Sequence, residues 1–74
     1  MTKLFISNKE KFDRDFPTNS EIHKRAYKEL LSKIADNSIP IILAVDYGND
    51  SLIMFSFQRK ADEIYFYEYI GIAS

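Results

Sequence analysis

The chain has 74 residues, a formal net charge of −1, and neither cysteine nor tryptophan. A single domain of this size buries roughly 60% of its unfolded surface, worth ~3–5 kcal/mol net. The missing cysteines exclude disulfides, thiolate metal sites and thiol nucleophiles together, and near-neutrality excludes a global attraction for nucleic acid or anionic lipid. With 46% hydrophobic residues, six Phe and five Tyr, the chain is apolar enough to fold.

The segment 1–17 opens with Lys3-Leu4-Phe5-Ile6-Ser7, a strand candidate with Leu4 and Ile6 on one side and Phe5 on the other. Ser7-Asn8-Lys9-Glu10 has the form of a capping box, which favours a short helix from Asn8 towards Phe16; an irregular turn is the alternative. In the helical case Phe12 and Phe16 share a face. Pro17 ends the segment, because the residue before proline is pushed away from helical geometry.

The main helix is placed in 18–37. Thr18-Asn19-Ser20-Glu21 is a second capping-box form, and Ile22, Ala26, Leu30 and Ile34 recur every four positions. Tyr27 and Leu31 widen that stripe. Glu21/Arg25, Arg25/Glu29 and Glu29/Lys33 are spaced for i,i+4 pairs worth ~0.2–0.5 kcal/mol each. Asn37 suits a left-handed position after the helix, and Pro40 forbids continuation.

Beyond the helix the period changes from 3.6 to 2, and 39–72 reads as an antiparallel meander. Ile39 to Asp46 is apolar almost throughout, the pattern of a strand covered on both faces. Tyr47-Gly48-Asn49-Asp50 makes a turn, because Gly and Asn tolerate positive φ. Leu52 to Arg59 follows, then a turn at Lys60-Ala61-Asp62, then Glu63 to Ile72. The expected fold is α+β: one main helix on a three-stranded antiparallel meander, with 3–7 as a candidate fourth strand, in the order β-α-β-β-β.

In that arrangement Phe55, Phe57, Ile64 and Phe66 face the helix. The reverse face then presents Leu52, Met54, Tyr65, Tyr67 and Tyr69. A solvated sheet face is expected to be polar, whereas Tyr and Met are enriched at interfaces. These five residues are therefore the candidate partner-binding set. A homodimer or the N-terminal segment, with Phe5, Phe12 and Phe16, are alternative covers for the same face.

Signals for chemistry are sparse. His23, the single histidine, stands in the first helical turn and is expected at the surface, with no positioned nucleophile to serve. His23, Lys24, Arg25 and Lys28 form an alternative phosphate-contacting cluster, although Glu21 and Glu29 interrupt it. Asp46, Asp50, Asp62 and Glu63 sit at turns and lack the spacing of a calcium loop. Gly48 and Gly71 are the only glycines, so no phosphate-cradling loop exists. No catalytic, cofactor or metal role is assigned to any residue.

The first residues lack the apolar core of a secretory signal, and Ile41 to Val45 is too short to span a membrane. A cytoplasmic protein is the expectation, with no membrane partner. The abundance of Phe, Tyr, Ile, Lys and Asn, encoded by AT-rich codons, favours a low-GC bacterium or one of its phages.

Ser38-Ile39-Pro40-Ile41, the turn Asp46-Tyr47-Gly48-Asn49-Asp50-Ser51-Leu52 and the aromatic stretch Glu63-Ile64-Tyr65-Phe66-Tyr67-Glu68-Tyr69 together resemble the C-terminal core of the SUKH superfamily of bacterial toxin-immunity proteins. The resemblance covers half of the chain; the chain is shorter than those domains and has one glycine where they carry a Gly-Gly turn. It implies a non-catalytic α+β protein that blocks a toxin or another effector through its sheet surface. The leading expectation is thus a small inhibitor or immunity factor that binds another protein and has no catalytic chemistry of its own. A nucleic-acid-associated regulator and a structural subunit of a larger assembly are the alternatives.

Overall fold

The computed structural model describes residues 3–74; Met1 and Thr2, part of the N-terminal segment considered above, lie outside the described residues. The elements are β1 (Lys3–Ser7), α1 (Lys9–Asp15), α2 (Glu21–Ala35), β2 (Ile42–Gly48), β3 (Ser51–Ala61) and β4 (Ile64–Ala73). The strands form one mixed sheet in the order β1-β4-β3-β2, with β1 parallel to β4 and the other pairs antiparallel. The expected α+β class and meander are present, and of the two alternatives for the N-terminal segment the short helix forms, as α1.

Local chemistry explains the helix ends. The first capping box is unused: Ser7 remains in β1, and Asn8 precedes α1 in the left-handed region at φ 61° with no side-chain cap. Instead Asn8 Nδ2 donates to the Tyr69 carbonyl at 3.4 Å, tying the β1–α1 corner to β4. At α2, Ser20 alone is the cap, its Oγ accepting from the His23 N–H at 3.2 Å. The far end is a Schellman closure: Asn37 at φ 55° donates to the Ile34 carbonyl and Ser38 to that of Lys33.

The hairpins follow from turn chemistry as well. Asn49 and Asp50 join β2 to β3 with φ of 55° and 59°, the two positive values of a type I′ turn. Gly48 before them, at φ 105°, belongs to a bulge that also ends β2. Its N–H is capped by Asp46 Oδ1 at 2.8 Å.

Both helices lie on one face of the sheet, α1 over β4 and α2 over β2. The core between them contains Ile6, Phe12, Phe16, Ala26, Leu30, Ile34, Leu43, Val45, Ile53, Phe55, Tyr67 and Tyr69. Phe12, fully buried, stands at its centre, with ring centroids 5.3 Å from Phe55 and 5.2 Å from Tyr69.

Three expectations are corrected here. First, β2 is an edge strand covered on one face: Leu43 and Val45 are buried while Ile42 and Ala44 are exposed. Second, the faces of β4 are exchanged. Phe55 pairs with Tyr69 and Phe57 with Tyr67, so the tyrosines lie on the helix side. Bulges at Met54/Phe55 and Phe57/Arg59 set that register and carry Phe66 to the opposite face, beside Arg59. Third, the i,i+4 charge ladder on α2 is not formed among the described residues; Lys24 meets Glu21 at 4.0 Å, and Arg25 donates to the Asp46 carbonyl at 3.2 Å.

Candidate functional site

The residues singled out from sequence for partner binding are divided by the sheet. Tyr67 and Tyr69 are fully buried beneath the helices and Tyr65 is half-buried on the same side. Burial holds the hydroxyls of Tyr67 and Tyr69 above their ordinary pKa of 10.0, and the bond to Asp15 adds to the effect at Tyr69. Leu52 and Met54 alternate with the buried Ile53 and Phe55, so they occupy the opposite, helix-free face and remain half-buried. A side chain fully enclosed in its own core has no surface to offer a partner. The five residues do not form one face.

His23 is also relocated. It is buried, not exposed, because its ring lies under α1 with Phe12 stacked against it at 4.2 Å. Its Nε2 meets Asp13 Oδ1 at 2.8 Å, while Lys9 Nζ reaches the other oxygen of the same carboxylate at 2.7 Å. The hydrogen bond from Lys9, then that from His23, holds the Asp13 carboxyl below its ordinary value of 3.8. The alternative phosphate cluster is thereby dissolved: Lys24, Arg25 and Lys28 are exposed, but His23 points inward and Arg25 is engaged with Asp46. Among the described residues no group of three or more His, Asp or Glu side chains converges as a metal site. The turn acids have local work, Asp46 on Gly48 and Asp50 at positive φ.

What the fold leaves open is the helix-free face. Strand alternation and register place Phe5 of β1, Phe66 of β4, Leu52 and Met54 of β3, and Ile42 and Ala44 of β2 on it. Phe5 is 53% exposed and Ile42 45%. The face has internal order at one side. Phe5 and Phe66 rings lie 5.4 Å apart, and the Arg59 guanidinium sits 4.0 Å over the Phe66 ring. An aromatic pair under an arginine is rigid, amphipathic contact surface of the type enriched at binding hot spots. Ser56 pairs with Glu68 in the middle of the face and supplies polar groups between the apolar positions.

Sequence reading missed Phe5, Phe66, Arg59, Ile42 and Ala44. The available signal was the period of β3, which places Leu52 and Met54 opposite Ile53 and Phe55; the phase of β4 and the one-sided cover of β2 have no such signal. Among the described residues no helix is long and apolar enough to cross a membrane. Comparison with protein-family models, curated proteins and solved structures yields no match.

Proposed function

We propose that this chain is a non-catalytic protein-binding module, an inhibitor or immunity factor that acts by covering a partner's surface with its helix-free sheet face. The observation that carries the reading is that one face of a four-stranded sheet is roofed by two helices while on the other, with no helix over it among the described residues, Phe5 and Ile42 are exposed and Leu52, Met54 and Phe66 half-buried. Four strands ~4.8 Å apart make this face roughly 15–20 Å wide, and contiguous apolar patches of a few hundred Å² mark interaction sites. The occupant is a second protein that brings an apolar patch and a carboxylate for Arg59. The resemblance of residues 38–69 to immunity proteins that block effectors through their sheet surface supports the same reading. Cytoplasmic residence and origin on a phage or mobile element belong to this proposal, and the origin rests on the composition alone.

The test compares immobilised wild-type protein with Met54→Glu and Phe66→Ser variants whose circular dichroism matches it. The expected result is one stoichiometric partner held by the wild type and lost from both variants. When repurified and titrated with the wild type, that partner loses its own activity. Equal recovery by all three proteins overturns the assignment of the face. A wild-type dimer in light scattering that the variants convert to monomer reassigns the face to self-association.

A further inference from the structure

The outer edge of β1 carries a second recognition feature, distinct from the sheet face. β1 is a terminal strand, and an open groove of about 820 Å³ runs along it from Leu4 to Ser7. Residues of β1 and α1 line it together with Tyr27 of α2, and no residue of β4 does, so it lies on the side of β1 away from the sheet. Lys3 N–H donates to the Glu63 carbonyl, and in a parallel ladder alternate residues turn their backbone groups the same way. Phe5 and Ser7 therefore bond towards β4, while the N–H and C=O groups of Leu4 and Ile6 point into the groove.

The two sheet edges are not equivalent. On β2, Phe57 N–H donates to the Ile41 carbonyl, so odd-numbered residues bond to β3 and the even-numbered ones face outward. There Arg25 caps the Asp46 carbonyl at 3.2 Å, and the bulge before Gly48 twists the strand's end, both protections typical of a closed edge. The β1 edge has neither a bulge nor a capping side chain among the described residues.

The groove also has a charge opposite to that of the whole chain. Lys9, Lys11 and Arg14 line it against Glu10 alone. Lys9 is held by Asp13, but Lys11 and Arg14 make no side-chain pair among the described residues. We infer that the β1 edge takes up an acidic, extended segment of the partner protein as a fifth strand, its backbone pairing with Leu4 and Ile6 and its carboxylates meeting Lys11 and Arg14. This rests on the reading of the chain as a protein-binding module and names the chemistry of what it binds. Main-chain pairing supplies the affinity of such strand addition, and the flanking side chains supply its selectivity. A nucleic acid would use the cations but not the strand's directional donors and acceptors.

The probe is an end-capped peptide of alternating Glu and Val, with its Lys-Val counterpart and oligothymidylate as controls, titrated into isotope-labelled full-length protein. The Glu-Val peptide is expected to shift and protect the amides of Leu4 and Ile6, and the Lys-Val peptide is not. The double variant Lys11→Glu/Arg14→Glu, on exposed helix positions, is expected to weaken binding by about tenfold or more with the fold intact. Perturbation confined to Met54 and Phe66, or equal binding of both peptides, overturns the inference. So does tighter binding of oligothymidylate at the same amides, which makes the groove a nucleic-acid site. If Leu4 and Ile6 stay silent while Met54→Glu still abolishes partner capture, the edge inference fails and the binding-module reading stands. If the peptide pairs with the edge while Met54→Glu and Phe66→Ser keep the partner, the sheet face is the part that fails.

Discussion

The His23 ring lies flat on Phe12, their centroids 4.2 Å apart and their planes 14° from parallel. This contact locks α2 onto α1, and Tyr27, one turn along α2, continues the stack 5.8 Å from His23. The single histidine of the chain is thus a packing residue with a polar edge. Phe12 is fully buried against four other rings, those of Phe16, His23, Phe55 and Tyr69. Phe12→Ala is expected to cost about 3–5 kcal/mol, as large as the net stability of so small a domain. His23→Ala, which loses the stack and the Asp13 bond, is expected to cost about 1–3 kcal/mol. Urea denaturation with a common m-value measures both, and an undiminished midpoint for His23→Ala would deny the ring its structural role.

The two buried tyrosines should respond oppositely to losing their hydroxyls. Tyr69 Oη donates to Asp15 Oδ2 at 2.8 Å, whereas Tyr67 Oη is buried with no hydrogen-bond partner among the described residues. A buried polar atom without a partner carries a desolvation cost of about 1–3 kcal/mol that deletion removes. Tyr67→Phe is therefore expected to leave stability unchanged or raise it, and Tyr69→Phe to lower it by about 1 kcal/mol. Thermal or urea unfolding of the two variants side by side decides the matter.

Stability should decline at both ends of the pH scale for identifiable reasons. Asp13 is held below 3.8 when folded, so its stabilising contribution is complete above 3.8 and is lost as pH falls through the lower folded value. Tyr67 and Tyr69 are held above 10.0, so their contribution is complete below pH 10.0 and is lost as pH rises beyond it. Unfolding midpoints across the pH range should show Asp13→Asn flattening the acid limb alone. Phenolate absorbance should show part of the tyrosine titration appearing together with alkaline unfolding, and the paired Tyr67→Phe/Tyr69→Phe variant should remove that part.

Local stop and turn signals have their own expected magnitudes. Ser20→Ala removes the side-chain N-cap of α2 and is expected to cost about 1 kcal/mol. Asp50→Gly places glycine at a φ of 59° in the type I′ turn and is expected to stabilise by about 0.5 kcal/mol, the relief of left-handed strain outweighing the entropy glycine adds to the unfolded chain. Differential scanning calorimetry of the two variants gives shifts of opposite sign if these assignments hold.

Much of the architecture was legible in the sequence because local rules dominate it. The stripe of Ala26, Leu30 and Ile34 is buried, Asn37 is left-handed, and Asn49-Asp50 turns the hairpin, each for a reason contained within a few residues. Leu31, included in the same stripe, is 43% exposed. The candidate site was less legible. β4 carries large side chains at nearly every position, Ile64, Phe66 and Ile70 alternating with Tyr65, Tyr67 and Tyr69. When both faces of a strand are large and apolar, its own period does not say which one is inside.

The sequence by itself determined where the chain turns, caps and alternates, because φ preferences and hydrophobic period act over short distances. Tertiary structure alone decided the phase of β4 and the parallel place of β1 beside it. Phase depends on pairing: Phe55 opposite Tyr69, two bulges, and Asp15 standing where the Tyr69 hydroxyl can reach it. Those contacts join residues far apart in the chain, and they draw Tyr67 and Tyr69 inward and turn Phe5 and Phe66 to the open face. An assignment made strand by strand carries no energy term for such pairings, so the aromatic surface was visible from composition while its location was not.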